Sequence, residues 1–329
     1  MINTTWLSNY FTDYKSDEMF TPKMDVKPHW TKLFKSLGEL GAAGLNTRQR
    51  DIDWLLAENG VTYNVYNDPK GLHRPWNLNA VPFLLHESEW KLVEAGLKQR
   101  AELLNLVLKD VYGERNLIKN GIVPSEIIYG HRGFLRQCTG IKYSTEKLLS
   151  MYAADIARGT DGRLWVVNDR AEAPSGMGYA LENRSTTSRM LPEMFSKMNV
   201  KGLSGFFQEF NQMLVDASPE NKENPNIVIL TPGSHNETYF EHAFLASFLG
   251  YPLVQGNDLV VRNGFLWMKS LKGLKQVDVV LRRVDDAYID PLELREDSRL
   301  GVAGLLDVVR RGNVAIINPV GSAVLENPG

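Results

Sequence analysis

The spacing of apolar residues changes twice along the chain, and the changes separate a helical part, a strand-rich part and an alternating part. Residues 1 to about 27 are polar and aromatic without a clear period. A helical pattern starts near Pro28, a favourable first-turn residue, and runs through HWTKLFKSL. A second helix is predicted from Asn46, as its N-cap, through IDWLLAENG, with Gly60 as its stop. VTYNVYN alternates as a strand does. The clearest helix spans about 87–112, where Trp90, Val93, Leu97, Ala101, Leu104, Leu108 and Val111 recur every three or four residues. That spacing puts them on one face and predicts a core stripe. VPSEIIYG reads as a short strand.

From Leu148 the period shortens. LLSMYAADIAR and RLWVVND flank Gly159-Thr160-Asp161-Gly162, and Asp-Gly between apolar runs predicts a hairpin. A glycine-rich loop, Pro174-Ser175-Gly176-Met177-Gly178-Tyr179, leads into a polar helix-like segment. Beyond Gly205 strands and helices alternate: GFFQEFNQMLVDAS, NIVILT, ETYFEHAFLASFLG, YPLVQ, the Asn263-Gly264 hairpin, QVDVVLRRV, GVAGLLDVVRRG and NVAIINP. Alternation of this kind predicts a doubly wound sheet. The expected fold class is therefore α/β (α+β): a helical N-terminal part, an antiparallel β-hairpin module and a doubly wound Rossmann-like domain. The expected division is 1–204 and 205–329. Gly321 to Glu326 reads as the opening of a helix directly after a buried strand, and the stop at Gly329 is read as a truncation.

Composition narrows the function classes. Of 329 residues 43% are hydrophobic and 23% charged, as in globular domains, and 37 Lys plus Arg face 39 Asp plus Glu for a net charge of -2. That balance gives no electrostatic case for nucleic acid or an acidic membrane. No apolar run approaches the ~20 residues that span a bilayer, and the N-terminus lacks the pattern of a signal peptide. Cys138 is the single cysteine, so there is neither a disulfide framework nor a paired-thiolate zinc site. The expected location is the cytoplasm, and the expected partner a small molecule.

Three constellations could carry chemistry. In ADIARGTDGRLWVVNDRAEAPSGMGYALENR, the hairpin presents Asp155 on one strand and Asn168 and Asp169 at the end of the other. Oxygen ligands on adjacent strands can converge on a hard cation. Gly176 and Gly178 let backbone amides approach an anion, and Arg170 and Arg184 could neutralise phosphate. The same residues also read as a plain hairpin with a polar rim. In NIVILTPGSHNETYFEHAFLA, Gly233 to Glu237 lie beyond a strand's carboxyl end at a helix start, where ligands of open α/β sheets bind. His235, Asn236, Glu237 and Tyr239 could orient a substrate there, or Asn236 could simply cap the helix with Glu237 complementing its dipole. His242 reads as a satisfied structural histidine. LRRVDDAYIDPLELREDS sets Arg282, Arg283, Asp285, Asp286 and Asp290 beside a strand end, fit to grip a zwitterion or to form a solvated ion-pair loop. No P-loop, GxSxG or HExxH spacing occurs.

LWVVNDRAEAPSGMGYALENR, VILTPGSHNETYFEHAFLA and VDVVLRRVDDAYIDPLELREDSRLGVAGLLDVVRRGNV, in this order, resemble the circularly permuted type 2 ATP-grasp proteins. EAGLKQRAELLNLVLKDVYGERNLIKNGIVP is similar to that family's leading helical part. The resemblance runs from about Asp17 to Gly329. It implies an ATP-dependent carboxylate–amine ligase, similar to glutathionylspermidine and glutathione-type synthetases, working through an acyl phosphate with ATP and Mg2+ on an amino-acid or peptide-like substrate. It implies nucleotide binding by Ser175, Gly176 and Gly178, charge stabilisation by Arg170 and Arg184, and substrate contacts from His235, Asn236, Glu237, Tyr239, Arg282 and Arg283. The implied metal set is Asp155, Asn168, Asp169 and Glu182. Asn168 stands where the glutathionylspermidine-type pattern has Glu, and Arg170 where it has Asn. The resemblance also implies a later portion carrying much of the nucleotide-binding sheet. A non-catalytic ATP-grasp-like binding or scaffold module is the alternative.

Overall fold

A computed structural model describes residues 17–65, 74–143 and 145–328. Its helices are α1 (Thr31–Glu58), α2 (Glu87–Tyr112), α3 (Asn116–Lys119), α4 (Ser125–Tyr129), α5 (Met177–Met190), α6 (Pro192–Lys197), α7 (Ser204–Asp216), α8 (Tyr239–Leu249) and α9 (Leu305–Arg310). Its strands are β1 (Ala153–Arg158), β2 (Leu164–Arg170), β3 (Ile227–Leu230), β4 (Leu253–Val254), β5 (Leu259–Arg262), β6 (Phe265–Ser270), β7 (Gly273–Gln276), β8 (Val279–Arg282) and β9 (Ala315–Ile317). The chain is an α/β protein with both parallel and antiparallel sheets. No described helix is long and apolar enough to cross a membrane.

The chain divides into two compact units, each discontinuous in sequence. The first comprises Met1–Ala95, Ile156–Val166 and Gly176–Leu203; the second comprises Gly96–Asp155, Val167–Ser175 and Ser204–Gly329. In the first, Leu33 and Leu37 lie one turn apart on α1 and pack with Trp30, Leu191 and Met194. α1 breaks at Gly41, where φ is 63°. The expected boundary at Asn46 falls inside a helical segment, because the left-handed residue is the glycine, which has no Cβ to clash there.

The second unit is built on a parallel sheet in the order β4-β3-β8-β9. All residues of β3 and β8 are buried. That explains why IVIL of β3 and VVL of β8 are unbroken apolar runs and not alternating ones, as expected where both faces are covered. β3 and β8 pair in register, Leu230 opposite Arg282. From β3 the chain turns through α8 to β4 at one edge, and from β8 through α9 to β9 at the other. The strand order therefore reverses between β3 and β8, the topological position at which open α/β sheets bind ligands outside the carboxyl ends of their strands.

β5, β6 and β7 form an antiparallel meander. Its first turn is Asn263-Gly264 with φ of 52° and 77°, the positive pair that a two-residue hairpin with the right twist requires. β1 and β2 form the expected two-stranded hairpin. The last part of the α2 stripe is core, with Leu108 and Val111 buried, while Trp90 is exposed. VPSEIIYG forms the short helix α4 and not a strand, since Pro124 precedes a serine and a glutamate suited to a helix start. VTYNVYN contributes only an isolated bridge from Thr62 to Pro75, and its last two residues lie outside the described residues.

Candidate functional site

The carboxyl end of the parallel sheet is furnished by the residues that follow three of its four strands. Thr231 follows β3, Arg283 follows β8 and Asn318 follows β9, and all three are buried. The Thr231 hydroxyl lies 2.9 Å from His242 Nδ1, and the Thr238 hydroxyl 3.1 Å from its Nε2. Burial pushes the imidazole well below its ordinary value, with the Arg283 charge adding to the effect. His242 is thus a neutral, fully bonded histidine within the first turn of α8. Thr231 also accepts the Gly233 N–H at 3.2 Å, which fixes the turn carrying His235, Asn236 and Glu237. His235 is exposed, and Asn236, Glu237 and Tyr239 are half-buried. Asn236 Oδ1 accepts the Thr238 N–H at 3.0 Å, an Asx turn that precedes the helix; the N-cap of α8 is Thr238, not Asn236.

Arg283 ties three segments together. Its Nη1 donates to the Pro174 carbonyl at 2.7 Å and its Nη2 to Ser175 Oγ at 2.6 Å, while Glu241 of α8 lies 3.6 Å away. Burial lowers its guanidinium from the usual range, and Glu241 works against that shift. The loop before Gly176 is therefore held by the end of β8. Gly176 has φ of 121°, a value that favours glycine, and it stands at the N-cap of α5 with open space where a Cβ would project. Gly178 is buried in the first turn of α5. A glycine cap brings no side chain to the first-turn amides, which suits an anion.

Arg282 has a different role from its neighbour. It is fully buried and donates to the carbonyls of Asn318 (2.8 Å), Val284 (3.0 Å) and Pro319 (3.2 Å) and to Ser322 Oγ (3.1 Å). Asp286 pairs with it at 2.8 Å. The expected zwitterion grip or solvated ion-pair loop is instead a buried network. Asp290 belongs to the same fabric, accepting the N–H groups of Leu292, Gly304 and Leu306 at 2.9, 3.0 and 2.9 Å. Glu172, just after β2, accepts the Asp286 N–H at 2.5 Å. Its carboxyl is pushed up to about 7 by burial and then by the Asp286 charge.

The hairpin splits its polar residues between two faces, as alternation requires. Asp155 Oδ2 receives Arg170 Nη2 at 3.1 Å, Arg170 Nε at 3.3 Å and Asn168 Nδ2 at 3.3 Å. Asp169 points the other way. Arg100 of α2 holds both its oxygens, at 2.7 and 2.6 Å, and the Tyr152 hydroxyl donates to it at 2.5 Å. That bidentate guanidinium keeps the Asp169 carboxyl below its ordinary range. Glu182 belongs to the first unit, where it is buried, accepts from Asn59 at 2.8 Å and lies 3.2 Å from the Thr186 hydroxyl. Arg184, in the same unit, donates to the Lys201 carbonyl at 2.6 Å and sits over the Phe195 ring, and burial lowers its guanidinium.

Asp155, Asn168 and Arg170 are therefore brought together, as are Ser175 and Arg283, whereas Asp169 and Glu182 are each engaged elsewhere. Among the described residues no three His, Cys, Asp or Glu side chains gather as a metal ion would need. A hairpin metal does not fit this donor set: the one carboxylate on its face is already paired with a guanidinium. The glycine cap of α5 in the first unit and the half-exposed Arg170 of the second each have, taken singly, the chemistry to meet an anion.

Sequence reasoning missed Arg100, Tyr152, Glu172 and Asn318. Asn318 accepts the Ser150 and Met151 N–H groups and donates to the carbonyls of Met151 and Ala171, so it anchors both legs of the hairpin. Its signal was available: a polar residue directly after a buried strand, like Thr231 and Arg283. Arg100 gave none, being one of several cations on a long helix.

Comparison with known proteins identifies the family. The profile of the family described as circularly permuted ATP-grasp type 2 matches residues 82–329. An uncharacterized protein of Mycobacterium tuberculosis is 41% identical over 321 residues, covering 95% of this chain and 36% of its own length. An uncharacterized protein of Synechocystis is 39% identical over 311 residues, with 94% and 65% covered. One of Mycobacterium leprae is 34% identical over 308 residues, with 94% and 54% covered. The chain thus spans from about a third to just under two thirds of the length of these relatives. The chain belongs to the circularly permuted ATP-grasp type 2 family.

Proposed function

We propose that this member of the circularly permuted type 2 ATP-grasp family serves an ATP-dependent carboxylate–amine ligase. A substrate carboxylate oxygen attacks the γ-phosphorus of ATP and ADP leaves. An amine then attacks the acyl carbon, and phosphate departs with the carboxylate oxygen as the amine gives up a proton. The observation that carries the reading is the family match over residues 82–329. The Arg283-tethered loop at the sheet's switch point supports it. Ser175, Gly176 and Gly178 are assigned to the nucleotide phosphates, with Arg170 and Arg184 as the cationic side chains. His235, Asn236, Glu237 and Tyr239 are assigned to the rim that an amino-acid or peptide-like substrate would meet; of the two arginines assigned to the substrate, Arg283 pairs with Glu241 of the helix behind that rim, and Arg282 ties the end of β8 to Asn318, Pro319 and Ser322. Kinship with glutathionylspermidine and glutathione-type synthetases, and Mg2+ accompanying ATP, belong to the same proposal. Catalysis of this kind rests on positioning and charge stabilisation.

The protein incubated with ATP, Mg2+ and pools of amino acids and polyamines should release ADP and phosphate in equal amounts, only when an amine acceptor is present. If no pool elicits ADP, the ligase reading is abandoned. A second reading, a non-catalytic ATP-grasp-like binding or scaffold module, is favoured by the Arg170 guanidinium on Asp155. It predicts ATP binding without ADP.

A further inference from the structure

The polar face of the hairpin carries one carboxylate, with one amide and one guanidinium each hydrogen-bonded to it. A small divalent cation needs hard oxygen ligands at about 2.0–2.1 Å and gives up its water reluctantly. Here the Asp155 Oδ2 lone pairs already face Arg170 and Asn168, and an approaching cation would meet the guanidinium beside its only anionic ligand. Asp169 cannot make up the shell: it lies on the opposite face, its side chain is 13% exposed, and Arg100 holds both oxygens. Arg170 itself is 52% exposed, and its bonds to the described residues use Nε and Nη2, leaving Nη1 directed to no protein acceptor among them. The pair with Asp155 is half in water on both sides, so exchanging that partner for another anion is inexpensive.

We infer that Arg170 takes the place of a hairpin-bound metal ion and is itself the cation that a polyphosphate meets on this face. The inference rests on the nucleotide reading above and deepens it. Asp155 is then a holder of Arg170, competing with phosphate for the guanidinium and not ligating a metal. The two roles give Asp155 opposite signs. As a holder, its removal frees Arg170 and tightens nucleotide binding; as a metal ligand, its removal weakens it.

The test has a metal arm and a nucleotide arm, both on the whole chain. In the first, Mn2+ is titrated without nucleotide and free Mn2+ is followed by its paramagnetic resonance signal. The expected result is no saturable site below millimolar Mn2+. A saturable site lost in Asp155→Asn overturns the inference, whatever the nucleotide does. In the second, ATP is titrated calorimetrically in Mg2+ and in EDTA. Expected are similar affinities in the two buffers, a loss of about tenfold in Arg170→Ala in both, and a gain of about two- to threefold in Asp155→Asn. Arg170→Lys, which keeps the charge, should recover part of the loss. Binding that requires Mg2+, weakens in Asp155→Asn and ignores Arg170→Ala overturns the inference while leaving the nucleotide reading intact. No ATP binding by the wild-type chain in either buffer overturns the nucleotide reading, and the inference falls with it.

Discussion

Two sets of arginines and acids in the second unit use the same chemistry to opposite ends. At the end of β8, Arg282 and Asp286 are buried, and all three nitrogens of the Arg282 guanidinium meet a carbonyl, a hydroxyl or the Asp286 carboxylate. On the hairpin, Arg170 and Asp155 are half exposed at 3.1 Å and share one carboxylate oxygen. The first set has paid a large desolvation cost and is stable only as a complete network. The second remains in water, costs little to form and is worth little to stability. The residue types are the same in the two sets; burial separates a scaffold from a surface that can exchange partners.

The sharpest way to break this contrast is to remove the scaffold arginine. Arg282→Met leaves Asp286 buried without its counter-charge and four acceptors without a donor, so unfolding in denaturant should show a loss of about 3–5 kcal/mol. A loss below about 1 kcal/mol would mean that the sheet end is not held by this network. A smaller effect comes from Glu172, whose carboxyl is raised from near 4.5 to about 7. Between those values the folded state keeps a proton that the unfolded chain has released, so stability falls as pH rises from about 5 to 7.5. The slope should amount to something on the order of 2 kcal/mol and should flatten in Glu172→Gln, measured by denaturant midpoints across pH. Smallest of all, Arg170→Ala should change stability by less than about 1 kcal/mol, and less still in high salt. A large loss there would erase the distinction between the two sets.

Much of the fold is legible in the sequence because burial on both faces leaves a visible trace. NIVILT and QVDVVLRRV carry the short apolar runs IVIL and VVL, too short for helices, and these lie in β3 and β8. Asn263-Gly264 and Asp161-Gly162 marked their hairpins through the backbone they permit. VPSEIIYG has β-branched residues, yet its Pro-Ser-Glu start closes one helical turn, with Ile128 in the core. The other misses depend on partners far away in the chain. β7 is mostly exposed and carries Lys275 and Gln276, so it shows no apolar signature and exists by pairing with β6. At the site, the residue types were visible and their company was not. Nothing local says that Asp169 turns toward Arg100, sixty-nine positions earlier, or that Arg282 points inward while Arg283 reaches the Pro174–Ser175 loop.

The central functional claim is an acyl phosphate formed from ATP at the sheet end. It is tested most directly by supplying amino acids labelled with 18O in their carboxyl groups, together with ATP, Mg2+ and amine acceptors, and reading the isotope in released phosphate by mass spectrometry. The account predicts phosphate carrying one labelled oxygen for each ADP formed, because the attacking carboxylate oxygen leaves with phosphorus. Phosphate whose new oxygen comes only from water, at an undiminished rate of ADP release, contradicts it.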